Sequence, residues 1–194
     1  MTAAPRASPQ QRKRRAAAAA AAGAAAAGAA TAAVVRPPEP EPPAPAAPKA
    51  VLGPVTNLPL PRFAALGSNQ VNMRIGPDLR YRIEWTYQRR DLPVQIIEEH
   101  QIWRKIRDPE GTEGWVQRPL LNARRTFLVQ GEERELRRRP EPEATAVAHL
   151  KPGVIGLVRR CAAGSAWCEV RVAEHEGYLR RSDLWGVGAD EAIE

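Results

Sequence analysis

The 194-residue sequence predicts an all-β protein that contains two small barrels in tandem. From residue 62 onward, short runs rich in β-branched and aromatic residues alternate with turn signals, and no amphipathic helix of useful length interrupts them. A unit of roughly 60 residues also occurs twice. Trp103 corresponds to Trp167, 64 positions later, and Gly114-Trp115 corresponds to Gly177-Tyr178, 63 positions later.

The formal charge of +7 does not indicate a nucleic-acid-binding protein. Residues 1–61 carry 7 basic and 2 acidic side chains, which leaves 22 basic and 20 acidic side chains in residues 62–194. Binding to a phosphate backbone needs a surface of one sign, whereas the second of these segments is close to neutral. We therefore expect no nucleic acid among the partners.

Residues 1–35 are predicted to be a secretory signal peptide. A basic cluster, Arg12-Lys13-Arg14-Arg15, precedes an uncharged stretch from Ala16 to Val35 that contains cleavage-like sites such as Ala30-Thr31-Ala32. This stretch has the length of a membrane span, but alanine and glycine make it weakly lipophilic. We expect membrane attachment only if the segment stays uncleaved. Two alternatives are the twin-arginine export route and a plain alanine-rich tail. An exported chain would be periplasmic or secreted.

Residues 36–61 are predicted to be a disordered linker, because proline recurs every few residues. Such a composition favours extended polyproline II and acts as a semi-stiff spacer. A recognition motif for another protein is the alternative interpretation, since Pro40-Glu41-Pro42-Pro43 is similar to PxxP peptides.

The first barrel is assigned to residues 62–125 and the second to residues 126–187, with a flexible tail at 188–194. Several short strands in each unit can bury their inner faces only by closing on themselves. A hairpin turn is expected at Asp108–Thr112, and single 3₁₀ turns are expected at Pro119–Leu121 and Ser182–Leu184. The predicted strands of the first barrel are Phe63–Leu66, Val71–Arg74, Ile83–Tyr87, Pro93–Glu98, Ile102–Arg107 and Glu113–Val116.

The segment Asn72-x-Arg74-x-Gly76-Pro77, together with Trp103 and Gly114-Trp115-Val116, resembles the bacterial SH3-like (Src-homology-3-like) modules of exported cell-envelope proteins. Residues 62–187 as a whole are similar to a family of exported proteobacterial proteins with two such modules. This resemblance implies two small SH3-like β-barrels that bind an envelope partner, with peptidoglycan or its stem peptides as the usual proposal.

The resemblance also implies a ligand groove on the first barrel, next to a structural turn at Gly76-Pro77. Flat amphipathic rings suit sugar faces and extended peptides. The alternatives are that the rings pack on the surface and that Arg74 braces the turn. The second barrel is a degenerate copy, since Glu135 and Arg139 replace Asn72 and Gly76. The expected ligand-binding residues are Asn72, Arg74, Tyr81, Trp85 and Tyr87.

Cys161 and Cys168 are predicted to form a disulfide. Cys161 closes a predicted strand, Val154–Arg160, and Cys168 lies in the next, Trp167–Val172, so the two can face each other across a hairpin of an exported chain. Two buried thiols are the alternative. A zinc site with His175 would lack a fourth ligand.

The first barrel carries Glu98 and Arg104 at about the places of the two cysteines, and we expect an ion pair there. The pair Glu98-Glu99 is otherwise interpreted as a solvated strand end, and Trp103 and Trp115 are assigned to the core.

No catalytic residue, metal or cofactor is expected. The three histidines lie in or beside predicted turns and strand edges, and a cysteine–histidine hydrolase would need a free thiolate. The sequence therefore predicts a non-catalytic binding protein of the cell envelope, in which the second barrel stabilises and orients the first. An adaptor for proline-rich or extended segments of another envelope protein is the alternative, and an envelope hydrolase is a third.

Overall fold

The computed structural model describes residues 51–194, which contain strands, two 3₁₀ turns and no α-helix. No helix in this part of the chain is long and apolar enough to span a bilayer. The predicted signal peptide and residues 36–50 of the predicted linker lie outside the described residues. A small hairpin precedes the barrels and is formed by β1 (Val51–Leu52) and β2 (Pro59–Leu60).

The two barrels have the same strand order. The first consists of β3 (Arg62–Leu66), β4 (Val71–Arg74), β5 (Ile83–Tyr87), β6 (Pro93–His100), β7 (Trp103–Arg107), β8 (Glu113–Gln117) and β9 (Leu121–Asn122). The second consists of β10 (Thr126–Val129), β11 (Arg134–Arg137), β12 (Ala146–Leu150), β13 (Ile155–Arg160), β14 (Trp167–Val172), β15 (His175–Arg180) and β16 (Leu184–Trp185). The first sheet runs β5-β4-β8-β7-β6-β3-β9 and the second runs β12-β11-β15-β14-β13-β10-β16, so each strand of one has a counterpart in the other. The predicted all-β tandem fold is confirmed.

Buried and exposed side chains alternate along β4, as the sequence predicts. Val71 and Met73 of β4 are fully buried, whereas Asn72 and Arg74 between them are partly exposed. The strands β4 and β5 begin and end where the sequence predicts. Trp103 and Trp115 are both buried, as expected for core residues.

Residues 51–60 were predicted to belong to the linker, and the structure corrects this boundary. Val51 pairs with Leu60 and Leu52 pairs with Pro59, and Leu60 enters the core of the first barrel. The proline spacing suggested an unpaired chain, but a two-residue strand has no periodicity by which the sequence could reveal it.

Glu99 holds this hairpin against the first barrel. Its carboxylate accepts hydrogen bonds from the Val55 amide (3.1 Å), the Thr56 amide (2.9 Å) and the Thr56 hydroxyl (2.6 Å). Arg62 donates to the same group at 2.5 Å, and Arg104 Nε lies 3.5 Å away. The sequence interpretation of Glu98-Glu99 as a solvated strand end is therefore wrong for Glu99, whose side chain is fully buried.

The environment of Glu99 sets its ionisation. Burial alone would raise the pKa of the carboxyl group, but the hydrogen bonds from Thr56 and Arg62 outweigh it and lower the pKa from 4.5 to about 2. The folded-state pKa lies below the unfolded one, so the carboxylate contributes stability above about pH 4.5. That contribution is lost as the pH falls towards about 2.

Glu99 and Arg104 occupy the places that the two cysteines occupy in the second barrel. Both hairpins have an irregular register at the same point, after Ile96–Ile106 in one and after Val158–Val170 in the other. Glu99 lies opposite Arg104, so the predicted ion pair exists but uses Glu99 in place of Glu98, since the irregularity shifts the strand by one residue.

Cys161 and Cys168 are disulfide-bonded, with their Cα atoms 4.4 Å apart, and both are buried. Cys161 also exchanges two backbone hydrogen bonds with Ile193, of 2.8 and 2.9 Å. The predicted flexible tail at 188–194 is thus wrong, because Ile193 is part of the second barrel's core. Glu99 of the first barrel and Cys161 of the second are at equivalent positions. Glu99 binds the hairpin that precedes its barrel, and Cys161 binds the segment that follows its barrel.

The C-terminal segment is also held by Arg181, whose side chain is buried in the second 3₁₀ turn (Arg181–Asp183). Its guanidinium group donates at 2.6–2.9 Å to four backbone carbonyls, those of Ala162, Ser165, Gly188 and Glu191.

The barrels contact each other through polar and apolar groups. Arg125 donates to the Phe63 carbonyl (3.0 Å) and to the Gly186 carbonyl (3.1 Å), and the rings of Phe63 and Trp185 meet edge to face at 5.2 Å. Leu128 of β10 belongs to the core cluster of the first barrel. The two barrels therefore share part of one core.

We expect Glu99→Gln to lower the free energy of unfolding by about 3–5 kcal/mol, because it leaves Arg104 buried without its counter-charge. Chemical denaturation at neutral pH measures this. Glu98→Gln, an exposed neighbour, should change stability by less than about 0.5 kcal/mol. The acid-dependent loss of stability between about pH 4.5 and about 2 should also weaken in the Glu99 variant. Equal stability of the two variants would contradict the assignment.

Removal of the disulfide should cost about 2–3 kcal/mol, since a short closed loop gives the lower part of the usual range. The measurement is denaturation of the protein with and without dithiothreitol. A Cys161→Ala, Cys168→Ala double variant serves as the control, because the reductant should not change its unfolding midpoint. An unchanged midpoint of the reduced parent protein would refute this.

Candidate functional site

Arg74 closes the loop that follows β4. Its Nη1 donates to the Tyr81 carbonyl at 2.6 Å, and the ring of Tyr81 lies over Gly76. A Cβ atom at Gly76 would lie 2.6 Å from that ring, so only glycine fits under the tyrosine. The turn residues Gly76 and Pro77 thus allow the loop to fold back on the strand end.

The second barrel repeats the arginine contact. Arg137 Nη1 donates to the Ala144 carbonyl at 2.7 Å, seven residues further on, as Arg74 does to Tyr81. This barrel lacks both the glycine and the aromatic ring. The shared contact is therefore a feature of the loop itself. Its geometry is the one expected if Arg74 braces the turn.

Asn72 and Tyr87 make internal contacts. Asn72 Oδ1 accepts a hydrogen bond from the Thr86 hydroxyl at 2.9 Å. Tyr87 is buried, and its hydroxyl donates to Asp108 Oδ2 at 3.0 Å. Burial, together with the negative charge of Asp108, raises the pKa of the Tyr87 phenol. Tyr87 therefore anchors the turn between β7 and β8.

A groove of about 710 Å³ lies between the two barrels, and we call it the junction groove. Trp85, Tyr87 and Leu92 contribute to one side, and Leu128, Gln130 and Gly153 contribute to the other. Gln130 Nε2 donates to the Pro109 carbonyl at 2.9 Å, and Arg89 donates to the Gly153 carbonyl. These cross-barrel bonds fix the walls relative to each other.

Trp85 is the exposed aromatic residue of this groove. Its side chain is 57% exposed, although Trp103 and Trp115 of the same barrel are buried. Its register partner is Met73, and the equivalent partner of Leu136 in the second barrel is Ala148. The large ring is therefore specific to the first barrel.

β5 is an edge strand of the first sheet, and among residues 51–194 it pairs only with β4. Exposed apolar side chains surround it. An edge strand of this kind presents unpaired backbone groups to which an extended chain can add. The exposed apolar residues in and before β5 are Ile75, Leu79, Tyr81, Ile83 and Trp85.

The structure separates the five expected ligand-binding residues. Trp85 and Tyr87 line the junction groove, and Tyr87 is also bonded to Asp108. Asn72, Arg74 and Tyr81 make internal contacts and do not line this groove. The wall from the second barrel was missed. No local pattern could reveal it, because Leu128, Gln130 and Gly153 face the groove only through the docking of one barrel on the other.

Within residues 51–194 no group of three or more histidine, cysteine or carboxylate side chains is arranged to hold a metal ion. Both cysteines are in the disulfide. A groove with one exposed indole, backbone carbonyls and a few polar side chains is suited to binding an extended molecule.

Two docked seven-stranded barrels with a groove at their junction define a tandem protein of the small SH3-like barrel class. A family model described as a bacterial SH3 domain matches residues 67–122 and again residues 130–186. The chain therefore belongs to the bacterial SH3 domain family. A disulfide persists in oxidising compartments, and together with the family it indicates an extracellular or periplasmic protein.

Two solved structures from Trichomonas vaginalis are similar to this chain. NlpC1 is 16% identical with a TM-score of 0.30, and the match covers 69% of this chain and 48% of NlpC1. NlpC2 is 15% identical with a TM-score of 0.30, and the match covers 64% of this chain and 48% of NlpC2. The chain thus spans about half the length of these structures, 48% in each. No curated protein matches the sequence.

Arg74→Ala should lower the free energy of unfolding by about 1 kcal/mol and the thermal midpoint by about 3 °C, because a charged donor leaves the Tyr81 carbonyl. Calorimetry measures both. Arg82→Ala removes a more exposed arginine from the same loop, and it should change the midpoint by less than 1 °C, a shift of about 0.3 kcal/mol or less. An Arg74 variant as stable as the parent would leave a ligand contact as the better explanation of this residue.

Proposed function

We propose that this protein is an exported, non-catalytic binding protein of the bacterial cell envelope, and that it grips peptidoglycan or its stem peptides in the junction groove. The observation that carries the proposal is Trp85, whose large ring is left 57% exposed at the groove. A solvent-exposed indole gains free energy when a ligand covers it. The bacterial SH3 family and the disulfide support an envelope location.

The groove has the features that such a ligand requires. Its volume of about 710 Å³ is in the range of sites that take several residues or sugar units. Its lining includes apolar side chains from both barrels together with the polar side chains of Gln130, Glu110 and Thr112. Ligand backbone groups can therefore be paired while apolar surface is buried.

Support for a non-catalytic role comes from the nucleophiles. The two cysteines are bonded to each other, so neither supplies the thiolate that a cysteine hydrolase uses. The junction groove contains no histidine among its lining residues. Binding without bond cleavage is the chemistry that these groups favour.

Export is part of the same proposal. The basic cluster at Arg12–Arg15 and the uncharged stretch from Ala16 to Val35 support a signal peptide, and a covalent cross-link in the second barrel suits an oxidising compartment.

The edge strand β5 favours a second candidate, an adaptor that captures an extended segment of another envelope protein. Exposed Ile83 and Trp85 alternate along this strand. Strand addition would pair the backbone of such a segment and seat its alternate side chains against these residues.

Trp85→Ala should weaken retention of the protein on isolated peptidoglycan by at least about tenfold, because truncation of a buried aromatic anchor costs 2 kcal/mol or more. Co-sedimentation with purified sacculi measures the dissociation constant. The second barrel has Ala148 at the register position that Trp85 occupies in the first, so the substitution makes the two barrels alike at this position.

Ile102→Ala is the matched control, because Ile102 is similarly exposed, at 55%, and does not line the groove. Its binding should equal that of the parent, and both variants should unfold at the parent midpoint. Retention of the Trp85 variant on sacculi at parent affinity would exclude the groove as the binding site. Capture of an extended envelope protein with no affinity for sacculi would favour the adaptor.

A further inference from the structure

A second cleft, of about 310 Å³, lies where the two barrels join, and we call it the arginine cleft. Three strands of the second barrel form its floor. Thr126 of β10 lies opposite Leu157 of β13, and Leu157 lies opposite Arg171 of β14. The first barrel contributes Asp91, which lies between β5 and β6, and the chain segment between β9 and β10 contributes Arg124. The cleft shares no lining residue with the junction groove.

Three arginines converge on this cleft with most of their donors unused. Arg171 Nε donates to the Ala173 carbonyl at 3.2 Å, and Arg124 Nη1 lies 3.5 Å from Asp91 Oδ2. Arg159 has no hydrogen-bond or ion-pair partner among residues 51–194. Each guanidinium group has five N–H donors in a planar fork that matches a carboxylate or a phosphate.

The arginine cleft has a larger excess of positive charge than the composition of the two barrels predicts. Residues 62–194 carry 22 basic and 20 acidic side chains, yet three arginines and a single carboxylate line the cleft. Arg124 is paired with Asp91. Neither Arg159 nor Arg171 has a carboxylate within ion-pair distance in the described part of the chain, and the register neighbour of Arg171 on β15 is Glu176. A cleft of one sign with walls of lower dielectric attracts an ion of the opposite sign.

Two buried polar atoms in the wall lack a partner. Thr126 is only 4% exposed, and its hydroxyl makes no hydrogen bond within the described part of the chain. Asp91 Oδ1 is buried and unpaired in the same way. Buried polar groups are nearly always hydrogen-bonded in proteins. A carboxylate oxygen needs a donor, so a ligand that satisfies this wall carries an N–H group beside its negative charge.

We propose that the arginine cleft binds the carboxyl-terminal end of a peptide. The terminal carboxylate is paired by the guanidinium groups of Arg159 and Arg171, and the adjacent backbone N–H is directed towards the side of Asp91 and Thr126. A phosphate dianion fits less well, because it brings two negative charges towards Asp91 and has no N–H donor. The space of about 310 Å³ suits one or two terminal residues.

The test uses the whole chain and N-acetyl-alanyl-alanine, in its L,L and D,D forms, at constant ionic strength. Titration is followed by the amide NMR signals of Thr126, Leu157 and Arg171. We expect at least one stereoisomer to give saturable shifts at these amides, and the corresponding C-terminal amide to give none. Arg159→Gln and Arg171→Gln should each weaken binding by about tenfold, as loss of a hydrogen bond to a charged group predicts.

Arg139→Gln is the control, since this exposed arginine of the second barrel lies outside the cleft and should leave the affinity unchanged. Equal binding of the acid and its amide, or parent affinity in both cleft variants, would overturn the proposal. Saturable binding of inorganic phosphate at the same amides with equal or higher affinity would also overturn it, because the cleft would then be a general anion site. Retention on sacculi through Trp85 is measured separately, so the two proposals can fail independently.

Discussion

The buried carboxylate of Glu99 is the interaction on which the first barrel and its preceding chain depend. It joins the hairpin of residues 51–60 to the barrel through Val55 and Thr56, and it forms ion pairs with Arg62 and Arg104. A carboxylate in the interior is tolerated only when donors surround it, and here five groups from three segments of the chain converge on it. The close approach of Gly53, where a Cβ atom would lie 2.5 Å from Glu99 Oε2, leaves no room for a side chain. The order of the hairpin therefore follows from the charge below it.

The second constraint is the docking of the barrels. Leu128 crosses from the second barrel into the core of the first, and Arg125 binds carbonyls of both β3 and the segment after β16. Single modules of this size bury little apolar surface on their own, so shared packing adds stability that neither has alone. It also creates the two clefts, because each is lined by residues from both barrels.

Much of the fold could be predicted, and the reasons are local. Alternating side chains located β4 to the residue, enrichment in β-branched and aromatic residues located β5, and the spacing of Trp103 and Trp167 revealed the duplication. The cysteine hairpin followed from the two strands that flank it.

The predictions that failed concern residues whose contacts are distant in sequence. Glu99 resembled any charged strand end, and the order of Ile193 arises from its pairing with Cys161, more than 30 residues away. Tyr87 lines the junction groove, and the hydrogen bond of its hydroxyl to Asp108 is a further contact that no local pattern indicates.

The two barrels use different chemistry to join their strands at one pair of equivalent positions. Opposite strands are joined by Glu99 and Arg104 in the first barrel and by Cys161 and Cys168 in the second. The electrostatic link breaks when its carboxylate is protonated and is indifferent to thiols, whereas the covalent link breaks under reductants and is indifferent to protons. Each link also secures one end of the folded unit, the entering chain in one case and the leaving chain in the other. Protonation of Glu99 therefore removes a contact of the N-terminal hairpin, and reduction removes the cross-link beside the C-terminal pairing of Cys161 with Ile193, so the supports of the two ends are sensitive to different features of the surrounding medium.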